Sequence, residues 1–259
     1  MGKLGKKRVL LKIGTNTLTK ETDQISRGKI EDIGRQILAL KDDYEFIIVS
    51  SGAIAVARQF VKLEGNGKEI NVKQALAAIG QPHLMRIFHD NFWELGLLTS
   101  QCLLSYADFE REISRQNIMN TINVLLENNY IPIINENDTV ATDEIKFGDN
   151  DKLAALTGSL LHVDLVIIAT NTDGIYTKVS MNENEQKTIQ LVEDIDKLQS
   201  EISTDKSSRG TGGMQSKIDA ARILKNNNIE TWIVNGIDDG FIQKAINNEI
   251  TFTKILNKN

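Results

Sequence analysis

Short, near-continuous apolar runs alternate with helical stripes along almost the whole chain, and few folds accommodate that rhythm. Val9 to Ile13, Phe46 to Val49, Thr99 to Leu104, Ile131 to Ile134, Leu165 to Ala169 and Thr231 to Val234 read as strands. Between them, Ile30, Ile33, Ile37 and Leu40 form one helical stripe, and Ile118, Ile122, Leu125 and Leu126 form another. Further helices are expected at Ala53–Phe60, Lys152–Leu161 and Met214–Lys225, with a helical pair spread over Val72 to Leu95. A strand that is apolar at nearly every position is buried on both faces, and parallel sheets covered on both sides by helices have such strands. The expected fold class is therefore α/β, a three-layer αβα sandwich around a largely parallel sheet.

No internal repeat and no Pro/Gly/Ser linker interrupts the pattern, so residues 1–259 are expected to form a single domain. The polar stretch from Thr177 to Arg209 reads as an excursion built around a helix near Glu193 to Ile202. A net charge of −5 argues against a nucleic-acid footprint, and the cluster Lys3, Lys6, Lys7, Arg8 reads as a solvated strand lead-in. The single cysteine, Cys102, excludes a disulfide framework and fits a reducing compartment. No run is apolar enough over a sufficient length to span a bilayer, and no signal-peptide pattern opens the chain. A cytoplasmic protein with no membrane partner is expected.

The segment Asn135 to Lys152, NENDTVATDEIKFGDNDK, follows one strand and opens a helix. Open α/β sheets place their ligands at such strand-to-helix junctions. Its crowded carboxylates and carboxamides suit a small cation such as an α-amino group, or a metal ion. A solvated Asn/Asp-rich turn is the plainer alternative.

Three glycine turns also follow strand-like runs. In the first, Gly14 lets the backbone come close to a ligand, and Lys12 ends an apolar strand where an apolar residue would bury at less cost. Lys12 could equally snorkel to the sheet edge. The second, Ser50-Ser51-Gly52-Ala53, offers either an anion seat or an ordinary helix cap. The third, Gly210-Thr211-Gly212-Gly213-Met214-Gln215-Ser216-Lys217, suits phosphates held by backbone N–H groups beside a mobile cation. It lacks the Gly-Lys-Ser/Thr of a Walker A loop and the spacing of a dinucleotide fingerprint. Two lysines, a glycine cradle and an acidic pocket together describe a phosphoryl-transfer site, where catalysis is largely positioning and charge neutralisation. If the nucleophile is a substrate carboxylate, already ionised at neutral pH, no general base is needed. His83, His89 and His162 stand in contexts that read as structural. No CxxC, HExxH or EF-hand spacing is present, so any magnesium is expected to ride mainly on nucleotide phosphates.

These residues resemble the amino-acid kinase family, and within it the members that phosphorylate glutamate. Four blocks carry the resemblance: Leu10–Thr19, Ile47–Arg58, Ile131–Leu156 and Gly210–Ala221. It implies transfer of the γ-phosphoryl group of ATP to the side-chain carboxylate of L-glutamate, as the first step towards proline. It further implies that Lys12 and Lys217 neutralise the phosphoryl group and that Asp151 holds both ammonium groups. Ser51, Asp138 and Asn150 would bind glutamate. Gly14, Thr170 and Asn171, with Thr211 through Lys217, would bind ATP. A free α-amino group gives Asp138 a partner that an N-acetylated substrate lacks. Proline as a feedback inhibitor and a homodimer or homotetramer, formed around Val72 to Leu95, are likewise implied. Many members carry a further C-terminal PUA domain of an RNA-binding type; this chain is expected to lack it.

Overall fold

The computed structural model describes residues 5–257 apart from 21, 23, 65–68, 142–149, 178–186 and 202–212. Among the described residues, eight strands form one sheet in the order β3-β4-β2-β1-β5-β7-β8-β6. These are β1 (Lys7–Ile13), β2 (Tyr44–Ser50), β3 (Leu98–Leu104), β4 (Tyr130–Glu136), β5 (Leu165–Thr170), β6 (Leu191–Val192), β7 (Glu230–Asn235) and β8 (Thr253–Ile255). Every pairing is parallel except β7 with β8. The expected fold class is what the chain adopts.

The helices are α1 (Thr15–Thr19), α2 (Arg27–Leu40), α3 (Ala53–Arg58), α4 (Ile70–Glu94), α5 (Tyr106–Glu110), α6 (Glu112–Glu127), α7 (Asp151–Leu160), α8 (Ile195–Glu201), α9 (Met214–Asn226) and α10 (Phe241–Ile246). They cover the sheet on both sides, and the strand pleat decides which side chain meets which layer. Val9, Leu11 and Ile13 of β1 join the core under α2, α4 and α10. Leu10 joins the opposite core, with residues of α6, α7 and α9. Successive strand residues face opposite ways, so Lys12 shares the parity of Leu10 and emerges beneath α7 and α9. A third, smaller core beneath α9 gathers Ile175, Val192, Ile195, Ile218, Ile233 and Ile255.

The expected helical pair over Val72 to Leu95 is one helix, α4, running through Pro82. Its buried stripe Leu76, Gly80, Leu84, Phe88, Phe92 keeps one phase on both sides of the proline. Burying that stripe as a single face outweighs the hydrogen bond a proline removes. At Gly80 the backbones of α3 and α4 touch: a Cβ there would fall 1.8 Å from the Ala53 carbonyl oxygen. No helix among the described residues is long and apolar enough to cross a membrane.

Candidate active site

The carboxyl ends of β1, β2, β4 and β5 lie side by side, and the chemistry-bearing residues emerge there. β1 sits between β2 and β5, with Lys12 level with Val49 on one side and Ile168 on the other. The connection leaving β1 leads to β2, whereas the one leaving β5 leads, through β6, to β7 on the other side. Such a reversal opens a crevice outside the strand ends, and Lys12 stands at it.

Lys12, Asp151 and Lys217 meet at these strand ends. Lys12 Nζ is 2.5 Å from Asp151 Oδ1, and Lys217 Nζ is 3.0 Å from Asp151 Oδ2. Asp151 is fully buried, and the two lysines are 3% and 6% exposed. Ser216 Oγ lies 2.8 Å from both Asp151 Oδ2 and the Gly213 carbonyl oxygen. Asp151 is the first residue of α7, where the helix dipole favours a negative charge. Burial alone would raise its pKa; the charges of Lys12 and Lys217, with hydrogen bonds from Lys12 and Ser216, overcome that and hold it well below the usual carboxylate range. The carboxylate therefore stays ionised and aims two ammonium groups at one region of space.

The peptide bond between Asn150 and Asp151 joins this triad to a second, neutral cluster. Asn150 Nδ2 lies 2.7 Å from the Ser50 carbonyl oxygen, 2.7 Å from Asn135 Oδ1 and 3.3 Å from Ser51 Oγ. Asn135 Nδ2 donates at 2.8 Å to Gln81 Oε1 on α4. Gln81, Asn135, Asn150 and Ser51 are all buried. Gly52, with φ of 105°, takes the left-handed turn that carries the chain from β2 into α3. The Ser51 N–H is engaged by the Ile13 carbonyl at 3.1 Å, and Gly52 rather than a serine occupies the helix cap. The serine cap is not what forms there; the Ser51 hydroxyl instead accepts from Asn150 Nδ2.

Asp138 follows β4 by two residues, is 7% exposed, and its Oδ1 accepts no hydrogen bond among the described residues. Burial pushes its pKa up to about 6. Asn150 Oδ1 and Gln81 Nε2 are likewise buried without hydrogen-bond partners. Each such unmet group costs about 1–3 kcal/mol, a cost that a ligand carrying both donors and acceptors would relieve.

Gly14 is extended, at φ −78° and ψ 164°, a conformation open to any residue. A Cβ there would lie 3.6 Å from Lys12 Nζ, so the glycine borders the ammonium. Thr170 ends β5, half-buried and level with Asn235, and its carbonyl accepts from the Gly236 N–H at 2.7 Å. Asn171 follows, exposed. Gly213 caps α9, whose first turn is Met214, Gln215, Ser216 and Lys217; Thr211 and Gly212 lie outside the described residues, as does much of the acidic run, Thr142 to Asp149. Of the amide cluster, Gln81 lay beyond the sequence reading, and Asn135 was read only as one of the carboxamides of its segment. Asn135 carried a signal, a carboxamide ending a buried strand. Gln81 carried a fainter one, a polar residue beside the apolar stripe of α4.

A sequence model of the amino acid kinase family matches residues 7–235. A glutamate 5-kinase of Thermoanaerobacter sp. (strain X514) is 41% identical over 251 residues, covering 96% of this chain and 68% of that protein. The glutamate 5-kinase of Alkaliphilus oremlandii (strain OhILAs) is 37% identical over 249 residues, covering 95% of each. Among solved structures, a carbamate kinase from Giardia lamblia bound to AMP-PNP superposes with a TM-score of 0.67 at 14% identity, over 97% of this chain and 99% of that one. At that identity the likeness is one of fold.

Proposed function

Because this chain belongs to the amino acid kinase family, we infer that it is an ATP-dependent kinase that transfers the γ-phosphoryl group to the γ-carboxylate of L-glutamate, giving L-glutamyl 5-phosphate at the start of proline synthesis. The observation that carries the reading is Asp151, split between Lys12 and Lys217 in one buried triad. The moving phosphoryl group spreads negative charge over its oxygens, and fixed cations in a water-poor site stabilise it best. Lys12 and Lys217 supply those cations, and Asp151 fixes their positions. Thr170, Asn171, Gly14 and the Thr211–Lys217 segment, which enters α9, hold the nucleotide. The attacking carboxylate, with a pKa of about 4.3, is ionised at neutral pH, so no general base is required.

Ser51, Asp138 and Asn150 hold the acceptor. The α-ammonium of glutamate meets Asp138, whose negative charge an acetylated, neutral amine could not balance. Proline, a zwitterion with the same head group, would compete there. Among the described residues no set of three acidic, histidine or cysteine side chains could hold a metal, and Asp151 is committed to its lysines. Magnesium would be held mainly by the nucleotide phosphates, where it neutralises charge. We also propose one kinase domain and self-association through α4, which leaves Trp93 61% exposed.

The test is glutamate-dependent ADP release with hydroxylamine trapping of the acyl phosphate, run against acetylglutamate, aspartate, carbamate and UMP. Preference for any of these over glutamate would refute the reading.

A further inference from the structure

The amides beside Asp151 form a chain whose polarity two backbone groups fix. The Ser50 carbonyl can only accept, so the Asn150 atom 2.7 Å from it is Nδ2, and Oδ1 faces away. The Glu136 N–H can only donate, so the Asn135 atom 2.9 Å from it is Oδ1. Asn135 Nδ2 must then donate to Gln81, and the atom it meets is Oε1. The chain therefore ends in an acceptor, Asn150 Oδ1, and a donor, Gln81 Nε2, both buried and without hydrogen-bond partners among the described residues. A glutamine that only tied α4 to β4 would need its oxygen alone. The unspent donor is left over.

We propose that Gln81 is a specificity residue of the acceptor pocket: its Nε2 donates to the α-carboxylate of glutamate, while Asn150 Oδ1 and Asp138 receive the α-ammonium. The proposal rests on the glutamate reading above. Position along the network assigns the carboxylate. Asp151 adjoins Asn150, Asn150 meets Asn135, and Asn135 meets Gln81, so Gln81 is the member furthest from the lysines along the chain of contacts. The reacting γ-carboxylate belongs at the lysine end, which leaves the α-carboxylate for Gln81. A neutral amide there binds the anion without competing with Asp138 for the ammonium.

Wild type, Gln81→Met and Gln81→Glu are compared for turnover of glutamate and for inhibition by 4-aminobutanoate. The latter keeps the ammonium and the reacting carboxylate but has no α-carboxylate. Gln81→Met is expected to raise KM for glutamate roughly 10- to 100-fold, the loss of one hydrogen bond to a charged group. KM for ATP stays within about threefold, and kcat changes less than KM for glutamate. Gln81→Glu keeps an oxygen for Asn135, sets a negative charge before the α-carboxylate, and loses more. Inhibition by 4-aminobutanoate stays within about threefold in Gln81→Met, since nothing it presents meets position 81, and in Gln81→Glu it is unchanged or stronger, because the new carboxylate attracts its ammonium. A parallel loss for glutamate and 4-aminobutanoate would mean a packing role and overturn the proposal, as would an unchanged KM for glutamate. A wild type inactive on glutamate would sink the parent reading and this one with it. Thermal unfolding checks each variant, and if Gln81→Met does not fold, Gln81→Glu carries the comparison.

Discussion

Removing one cation from the triad should separate chemistry from binding. Lys217→Ala removes one of the two ammonium groups beside Asp151 and, in the proposed reaction, deletes a charge that matters most as the phosphoryl group moves. We expect kcat to fall by about 100- to 1,000-fold, with KM for glutamate within about threefold, in initial-rate assays. A loss under tenfold would show that Lys217 does not face the reacting phosphate. Asp138 predicts a pH effect. Its pKa, raised by burial to about 6 from 3.8, makes the pocket anionic only above that value, so kcat/KM for glutamate should fall on the acid side with a midpoint near pH 6. Asp138→Asn should lower kcat/KM and remove that limb; a limb that persists belongs to another group. The linked stability runs the other way. A carboxyl that holds its proton more tightly when folded stabilises the ligand-free protein fully below about pH 4 and loses that contribution as pH rises through about 6. Lys12 and Lys217 stood out in the sequence as a cation ending an apolar strand and a lysine behind three glycines, whereas Asp151, an acid opening a helix, follows the ordinary preference at a helix N-terminus and was singled out by the family resemblance. Gln81 does not stand out, since one glutamine beside an apolar stripe also fits a helix surface. Its meaning depends on Asn135, 54 positions away.

At the scale of elements, patterning gave the long strands and helices and failed where length ran out. Strands β6 and β8, of two and three residues, offer no alternation to count, and α1, α5 and α10 are too short for a stripe. The single α4 was hidden because a proline is read locally, whereas the stripe that overrides it spans four turns. That helix also carries Gln81 one residue after Gly80, so the α3–α4 contact holds both the amide and the turn at Ser51–Gly52. Gly80→Ala puts a methyl group 1.8 Å from the Ala53 carbonyl oxygen, where the obstacle is backbone and one helix must move. We expect a loss of about 1–3 kcal/mol in thermal unfolding and a higher KM for glutamate as the turn shifts. An unchanged melting midpoint would mean that the two helices separate at no cost.

For the whole molecule, alternation along β1 puts Lys12 on the layer opposite Val9 and Leu11, but nothing local announced the order of strands. That order brings β1 between β2 and β5 and gathers the carboxyl ends of four strands. Pairing partners come from distant segments: Arg8 at the start of β1, for example, reaches Glu45, Asn123 and the Leu161 carbonyl at once. The site therefore draws on both flanks of the sheet, with Ser51, Asn135 and Asp138 on the β2–β4 side and Thr170 and Lys217 on the β5–β7 side. A ligand pair that bridges these flanks binds only when all are in place, so it should stabilise them as one unit. At 100 times its dissociation constant, Mg–ATP adds about 2.7 kcal/mol. An unfolding entropy of roughly 0.5 kcal/mol per kelvin for a chain this long makes that a shift of about 5 °C. We expect scanning calorimetry to show a single transition moving upward by about that amount, and further when glutamate is added. Two transitions, with ATP moving one and glutamate the other, would show that the flanks unfold separately and that residues 1–259 are not one cooperative kinase domain.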